Sequence, residues 1–145
     1  MDKELNDFNS LFDLVPSINI LFVYDNFDKF IVSLKSDIKK FNGFITQIKI
    51  DNLSKEYRQL HQKNFEYAII CDSFGKISNK DSFIKLIHNS IGNSGYIIVL
   101  EKKQNNNDFI LPLLDKHGFG ALSNIDIFKE YDLFMGKKMH MWGMD

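Results

Sequence analysis

Arginine is almost missing from this sequence: of 18 basic residues only Arg58 is an arginine, and the formal charge is −1. Phosphate backbones are held by guanidinium forks and a broad positive field, so nucleic acid is not expected as a partner. Cysteine is limited to Cys71, inside an apolar run. One thiol can form neither an internal disulfide nor a thiolate metal cluster, and it fits a reducing compartment. Residues 1–10 lack the basic start and apolar stretch of a secretory leader, and no apolar run is long enough to span a bilayer. A cytoplasmic location without a membrane partner is expected. Glycine is scarce where it matters most. None of the eight glycines precedes Gly43, although residues 18–24 read as a strand running straight into a helix. In a nucleotide-binding α/β domain that turn is where bare backbone approaches the ligand. Here Tyr24, Asp25, Asn26 and Phe27 fill it with side chains.

What is present is ample apolar surface: 44% of the 145 residues are hydrophobic and 14 are phenylalanine. That is enough to offset the entropy of ordering one domain, residues 1–145. Leu5, Phe8, Leu11, Phe12 and Val15 recur at helical spacing and predict an N-terminal helix within residues 1–16, ended by Pro16. Residues 17–120 alternate strands and helices. Strands are predicted at 18–24, 44–50, 67–72 and 96–101, and crossover helices at 27–41, within 51–64, from Ser78 or Asn79 to Gly92 and Gly95, and around 109–118, where Pro112 is tolerated in the first turn. Residues 121–128 and 131–139 are two extended segments joined too tightly for a crossover, hence antiparallel. The Met- and Trp-rich tail closes the span 121–145. Parallel neighbours need helical crossovers, so the fold class is α/β, a doubly wound, mainly parallel Rossmann-like sheet with a C-terminal antiparallel hairpin.

Three stretches carry a resemblance: residues 65–70 continuing through Phe74 and Ile77, residues 91–100 with their glycine before an apolar strand, and residues 113–119. In this order, with the antiparallel segments behind them, they resemble the class I S-adenosylmethionine-dependent methyltransferases. The resemblance implies a cofactor site at the turn after the first strand, where that family has a G-x-G-x-G pattern and this chain has Tyr24-Asp25-Asn26-Phe27-Asp28. It further implies a ribose-binding acid at the end of the second strand, Asp51, or Lys49 in its place if the register slips by two. The loop Asp72-Ser73-Phe74 is implied to border the adenine and the transferred methyl group. The family's extra strand between the second and central strands is not visible in residues 51–64. The candidate cofactor-binding residues are Asp25, Asn26, Asp51, Asp72 and Ser73, and no residue is assigned to catalysis. A non-glycine residue in a positive-φ turn costs on the order of 1–3 kcal/mol, and a bulky side chain adds a clash. The expectation is therefore a degenerate, non-catalytic domain without bound cofactor that acts through protein contacts, its Met139, Met141 and Trp142 tail serving a partner or self-association. The alternative is an active methyltransferase that binds S-adenosylmethionine in an atypical site.

A receiver-like phosphoacceptor is a third reading, because Asp25, Asp72 and Lys102 or Lys129 close strands. Glu101, where a small hydroxyl is needed, and the closing hairpin speak against it. The tail's thioethers and His140 would suit Cu(I), but alternate packing of a last edge strand accounts for them, and no metal is expected. His61, His88 and His117 sit in or beside separate helices without ligand spacing and read as solvated or capping groups. Cys71-Asp72-Ser73 lacks the flanking glycines of a nucleophile elbow.

Overall fold

The apolar runs become neighbouring strands of one sheet. The computed structural model describes residues 2–25, 29–60 and 64–139. In it β1 (Asn19–Tyr24), β2 (Phe44–Lys49), β3 (Phe65–Cys71), β4 (Ile91–Lys102), β5 (Phe119–Asn124) and β6 (Tyr131–Lys138) lie in the order β2-β1-β3-β4-β6-β5. β1 pairs in parallel with β2 and β3, and β3 with β4. β6 runs antiparallel to both β4 and β5, so β5 regains the direction of the first four strands and β6 alone opposes it. This is the doubly wound, mainly parallel α/β sheet with an antiparallel hairpin that the alternating pattern predicts.

Burial on both faces explains why the strand sequences do not alternate. In β1, Leu21 and Val23 enter one core and Ile20 and Phe22 the other, none more than 1% exposed. Each such side chain contributes about 1.5–3 kcal/mol by leaving water. The first core is closed by α3 (Leu53–Leu60), α4 (Lys80–Ser90) and α5 (Ile110–Lys116), through Leu60, Ile84, Ile87, Ile110 and Leu114. The second is closed by α1 (Asp2–Asn9), α2 (Lys29–Lys39) and the connection before β6, through Phe8, Ile31, Leu34, Ile38 and Phe128. Asn9 ties α1 to α2, donating to Ser33 Oγ at 3.0 Å and to Asp37 Oδ2 at 2.8 Å.

Three boundaries differ from the sequence reading. α1 stops at Asn9, well before Pro16, and turns follow it. Phe12 keeps its place in the apolar spacing by packing on Phe8 and Tyr67, with ring centroids 5.3 and 4.8 Å apart. Gly92 and Gly95 do not close α4, because β4 begins directly at Ile91 and both glycines lie in an irregular stretch where the pairing jumps from Phe65↔Ile91 to Tyr67↔Tyr96. A Cβ on Gly95 would lie 2.5 Å from Ile91 Cγ2 and 2.9 Å from the Glu66 carbonyl oxygen, so close approach of backbone explains that residue. The end of α4 is capped from a distance instead. Lys138 Nζ donates to the carbonyls of His88 at 2.9 Å and Ile91 at 2.7 Å, and burial holds its pKa below the ordinary lysine value. Finally, β5 covers 119–124 rather than 121–128, although Phe128 is still buried. Between β2 and β3 the described residues form a short 3-10 turn, Ile50–Asn52, and then α3, with no strand among them.

Candidate functional site

In a parallel α/β sheet, ligands gather outside the carboxyl ends of the strands, where loops diverge. That rim holds most of the residues singled out above. Asp25 follows β1, Asp51 lies in the turn after β2, Asp72 and Ser73 follow β3, and Glu101 and Lys102 end β4. Asn26 and Phe27 lie outside the described residues, as do His61, His140, Met141 and Trp142.

The centre of the rim is a lysine that local sequence patterns do not reveal. Lys76, at the end of a 3-10 turn following β3, places Nζ 2.8 Å from Asp25 Oδ1 and 3.3 Å from Asp51 Oδ1. The hydrogen bonds it donates to Asp25, first, and to Asp51, second, raise its pKa above the ordinary lysine value. Lys49 adds a second cation 3.8 Å from Asp51. The register leaves Lys49 opposite Tyr24 as the last β2 residue, and Asp51 lies two residues beyond it in the 3-10 turn.

The loop after β3 is held by a buried carboxylate. Glu101 is 3% exposed and its Oε2 accepts the Ser73 N–H at 3.0 Å. The Phe74 N–H and the Asn105 amide also donate to this carboxylate. Burial nevertheless pushes its pKa above the usual carboxylate value, because those donors only partly replace lost water. Ser73 is fully buried and gives its hydroxyl proton to the Cys71 carbonyl at 2.9 Å, so its polar groups serve the loop. Asp72 adopts φ 51° and lies 3.5 Å from Lys102 Nζ. Phe74 is 2% exposed and packs edge-on against Phe83 and Phe109; it belongs to the core below the rim. Tyr24 stacks on Phe22 with centroids 5.2 Å apart. Beside Lys76, Ile50, Asp51, Ile77, Asn79 and Phe83 line an open cleft of about 390 Å³.

The strand order, the reversed β6 inserted before β5 and helices on both faces together define a known architecture. It is the class I S-adenosylmethionine-dependent methyltransferase-like fold. A SAM-dependent methyltransferase from Aquifex aeolicus is similar over 93% of this chain and 89% of its own, with a TM-score of 0.71 and 11% identity. A second from Thermotoga maritima, described as a possible histamine N-methyltransferase, matches over 94% and 88%, with a TM-score of 0.60 and 15% identity. Human N-acetylserotonin methyltransferase in complex with SAM matches over 94% of this chain and 52% of its own, with a TM-score of 0.61 and 11% identity. No family model and no curated protein matches the sequence. At these identities the likeness concerns the methyltransferase-like fold.

The inserted β6 also removes the receiver-like reading, since that fold has no such strand. Lys102 and Asp72 do meet, but as an ion pair at one corner, while Asp25 is engaged by Lys76. Lys129 lies in the connection between β5 and β6, where its N–H donates to Glu4 at 2.8 Å. Met139 is the last described residue and is 46% exposed; its thioether faces Gly120, whose added Cβ would sit 2.8 Å from Sδ. Among the described residues no helix is long and apolar enough to cross a membrane, and no group of three or more His, Cys, Asp or Glu is placed to hold a metal ion.

Tested against S-adenosylmethionine, the rim offers acids at the ends of β1 and β2, yet both already face the Lys76 ammonium. The first turn has no glycine to let backbone meet the ligand.

Proposed function

We propose that this methyltransferase-fold protein does not transfer methyl groups and acts by contacting other proteins. The observation that carries the reading is the Lys76 ammonium between Asp25 and Asp51. A ribose that used Asp51 would have to displace a lysine held by two carboxylates. The sulfonium of S-adenosylmethionine would then bring a like charge beside it, which disfavours binding. The sequence Tyr24-Asp25-Asn26-Phe27-Asp28 has no glycine where the turn after the first strand requires bare backbone. The tail, with Met139, Met141 and Trp142, supplies flexible thioethers and a large aromatic of the kind that protein-binding surfaces use. Trp142→Ala is expected to lower capture of a protein partner.

A second reading has one observation in its favour. The cleft of about 390 Å³ beside Asp51 and Lys76 is where an active enzyme with a rebuilt site would seat part of its cofactor, using Asp25, Asp51 and Asp72. Titration calorimetry with S-adenosylmethionine and S-adenosylhomocysteine separates the two. No heat of binding at ligand concentrations of about 1 mM is expected, and a micromolar dissociation constant for either ligand would establish the second reading. Lys76→Ala extends the test: it frees both acids, so binding gained only in the variant identifies the lysine as the blocking group.

A further inference from the structure

We infer that two copies of this chain pair antiparallel through the outer edges of their β2 strands. The two edges of the sheet are built differently. At β5 the ladder shifts between Gly120 and Ser123 and Ala121 takes φ 50°, an irregularity of the kind that protects an edge from further pairing. β2 pairs with β1 at six consecutive positions without a shift, and Phe44 to Ile48 contain no charge and no proline. No strand covers its other side among the described residues. The Phe44 N–H donates inward to the Ile18 carbonyl at 2.8 Å. By the alternation of a parallel ladder, the backbone groups of Ile45, Gln47 and Lys49 therefore point outward. Phe44 is 65% exposed at this edge.

A second copy, rather than an unrelated strand, is singled out because the segment is self-complementary. Centring a two-fold axis on Thr46 lets Ile45 and Gln47 exchange hydrogen bonds with Gln47 and Ile45 of the other copy. Phe44 is then set against Ile48, and Thr46 against itself, at the close non-hydrogen-bonded positions. Aromatic against β-branched and threonine against threonine are favourable cross-strand pairs, and a closed isologous contact satisfies both edges at once. Six residues a side make a seam smaller than a standard interface of roughly 1,600 Å². The dimer is accordingly concentration-dependent.

Sedimentation velocity on the full chain, run from about 10 μM to about 1 mM, is expected to show a monomer–dimer equilibrium. Thr46→Lys and Thr46→Glu each place like charges across the axis and are expected to sediment as monomers, whereas their equimolar mixture associates at least as strongly as the parent. Gln47→Pro removes an outward N–H that β1 does not use, so it should abolish dimers while leaving the melting temperature near that of the parent. A parent chain that stays monomeric throughout overturns the inference. So does a dimer that ignores both charge variants, because its contact then lies elsewhere. None of these readouts depends on whether S-adenosylmethionine binds.

Discussion

The two rims of the sheet have opposite characters. At the carboxyl ends of the strands, Lys76 joins Asp25 to Asp51, Lys102 meets Asp72, and Glu101 gathers the backbone of the loop after β3. At the amino ends, a cleft of about 530 Å³ opens between Asp13 and Val15, the start of β3 and the irregular stretch of β4. The charged rim is thus knitted from internal pairs beside a smaller cleft of about 390 Å³, whereas the opposite rim opens its larger volume around backbone turns. At the end where this fold conventionally seats its ligand, Asp25, Asp51 and Asp72 here each face a lysine. Similar architecture therefore leaves the chemistry to be decided by a handful of loop side chains.

The largest expected effect sharpens this contrast by asking whether an aromatic is scaffold or stopper. Phe74→Ala is expected to cost about 3–5 kcal/mol of stability in denaturant unfolding, the range for a phenylalanine lost from a packed core. A mild loss accompanied by new affinity for S-adenosylhomocysteine would instead make Phe74 part of the rim. Next comes the open end. Gly95→Ala forces a methyl against Ile91 and the Glu66 carbonyl, and about 1–3 kcal/mol of destabilisation is expected. An unchanged unfolding midpoint would mean that this stretch of β4 yields easily and that the cleft beside it has no fixed shape.

The smallest effect is a pH dependence. Burial raises the Glu101 pKa in the folded protein, so the folded state holds this proton more tightly than the unfolded chain does. The resulting stabilisation is fully present below the unfolded carboxylate pKa and is lost as pH rises through the raised folded value. Glu101→Gln removes that contribution. Chemical denaturation of parent and variant across mildly acidic to neutral pH should show the parent losing ground to the variant as pH increases. Parallel curves would mean that the hydrogen bonds from Ser73, Phe74 and Asn105 fully compensate the buried charge.

Much of the sheet was readable because strands buried on both faces must be apolar throughout. Runs such as Ile97 to Leu100 leave few other assignments. Glycine was the weaker guide. Gly92 and Gly95 fit a helix stop, but Lys138, distant in sequence, supplies the cap and frees them for the irregular start of β4. Proline misled similarly at Pro16, because side-chain contacts of Phe12 continue the apolar spacing without continuing the helix. The acids of the rim could be named, since strand ends are where a parallel sheet gathers polar groups. Their partner could not. Lys76 reaches Asp25 and Asp51 only after three strands have aligned, and nothing in its neighbours marks it. Glu101 left a trace, as a charge terminating an unbroken apolar run, and its burial is what that trace meant.

The insertion of β6 between β4 and β5 has a consequence for assembly in time. Among the described residues β5 has β6 as its only strand neighbour, yet β6 follows it in the chain. During synthesis, the segment carrying Phe119 leaves the ribosome before the strand it must lean on exists. Because β6 lies between β4 and β5, β5 cannot join the sheet until residues 131–138 have been made.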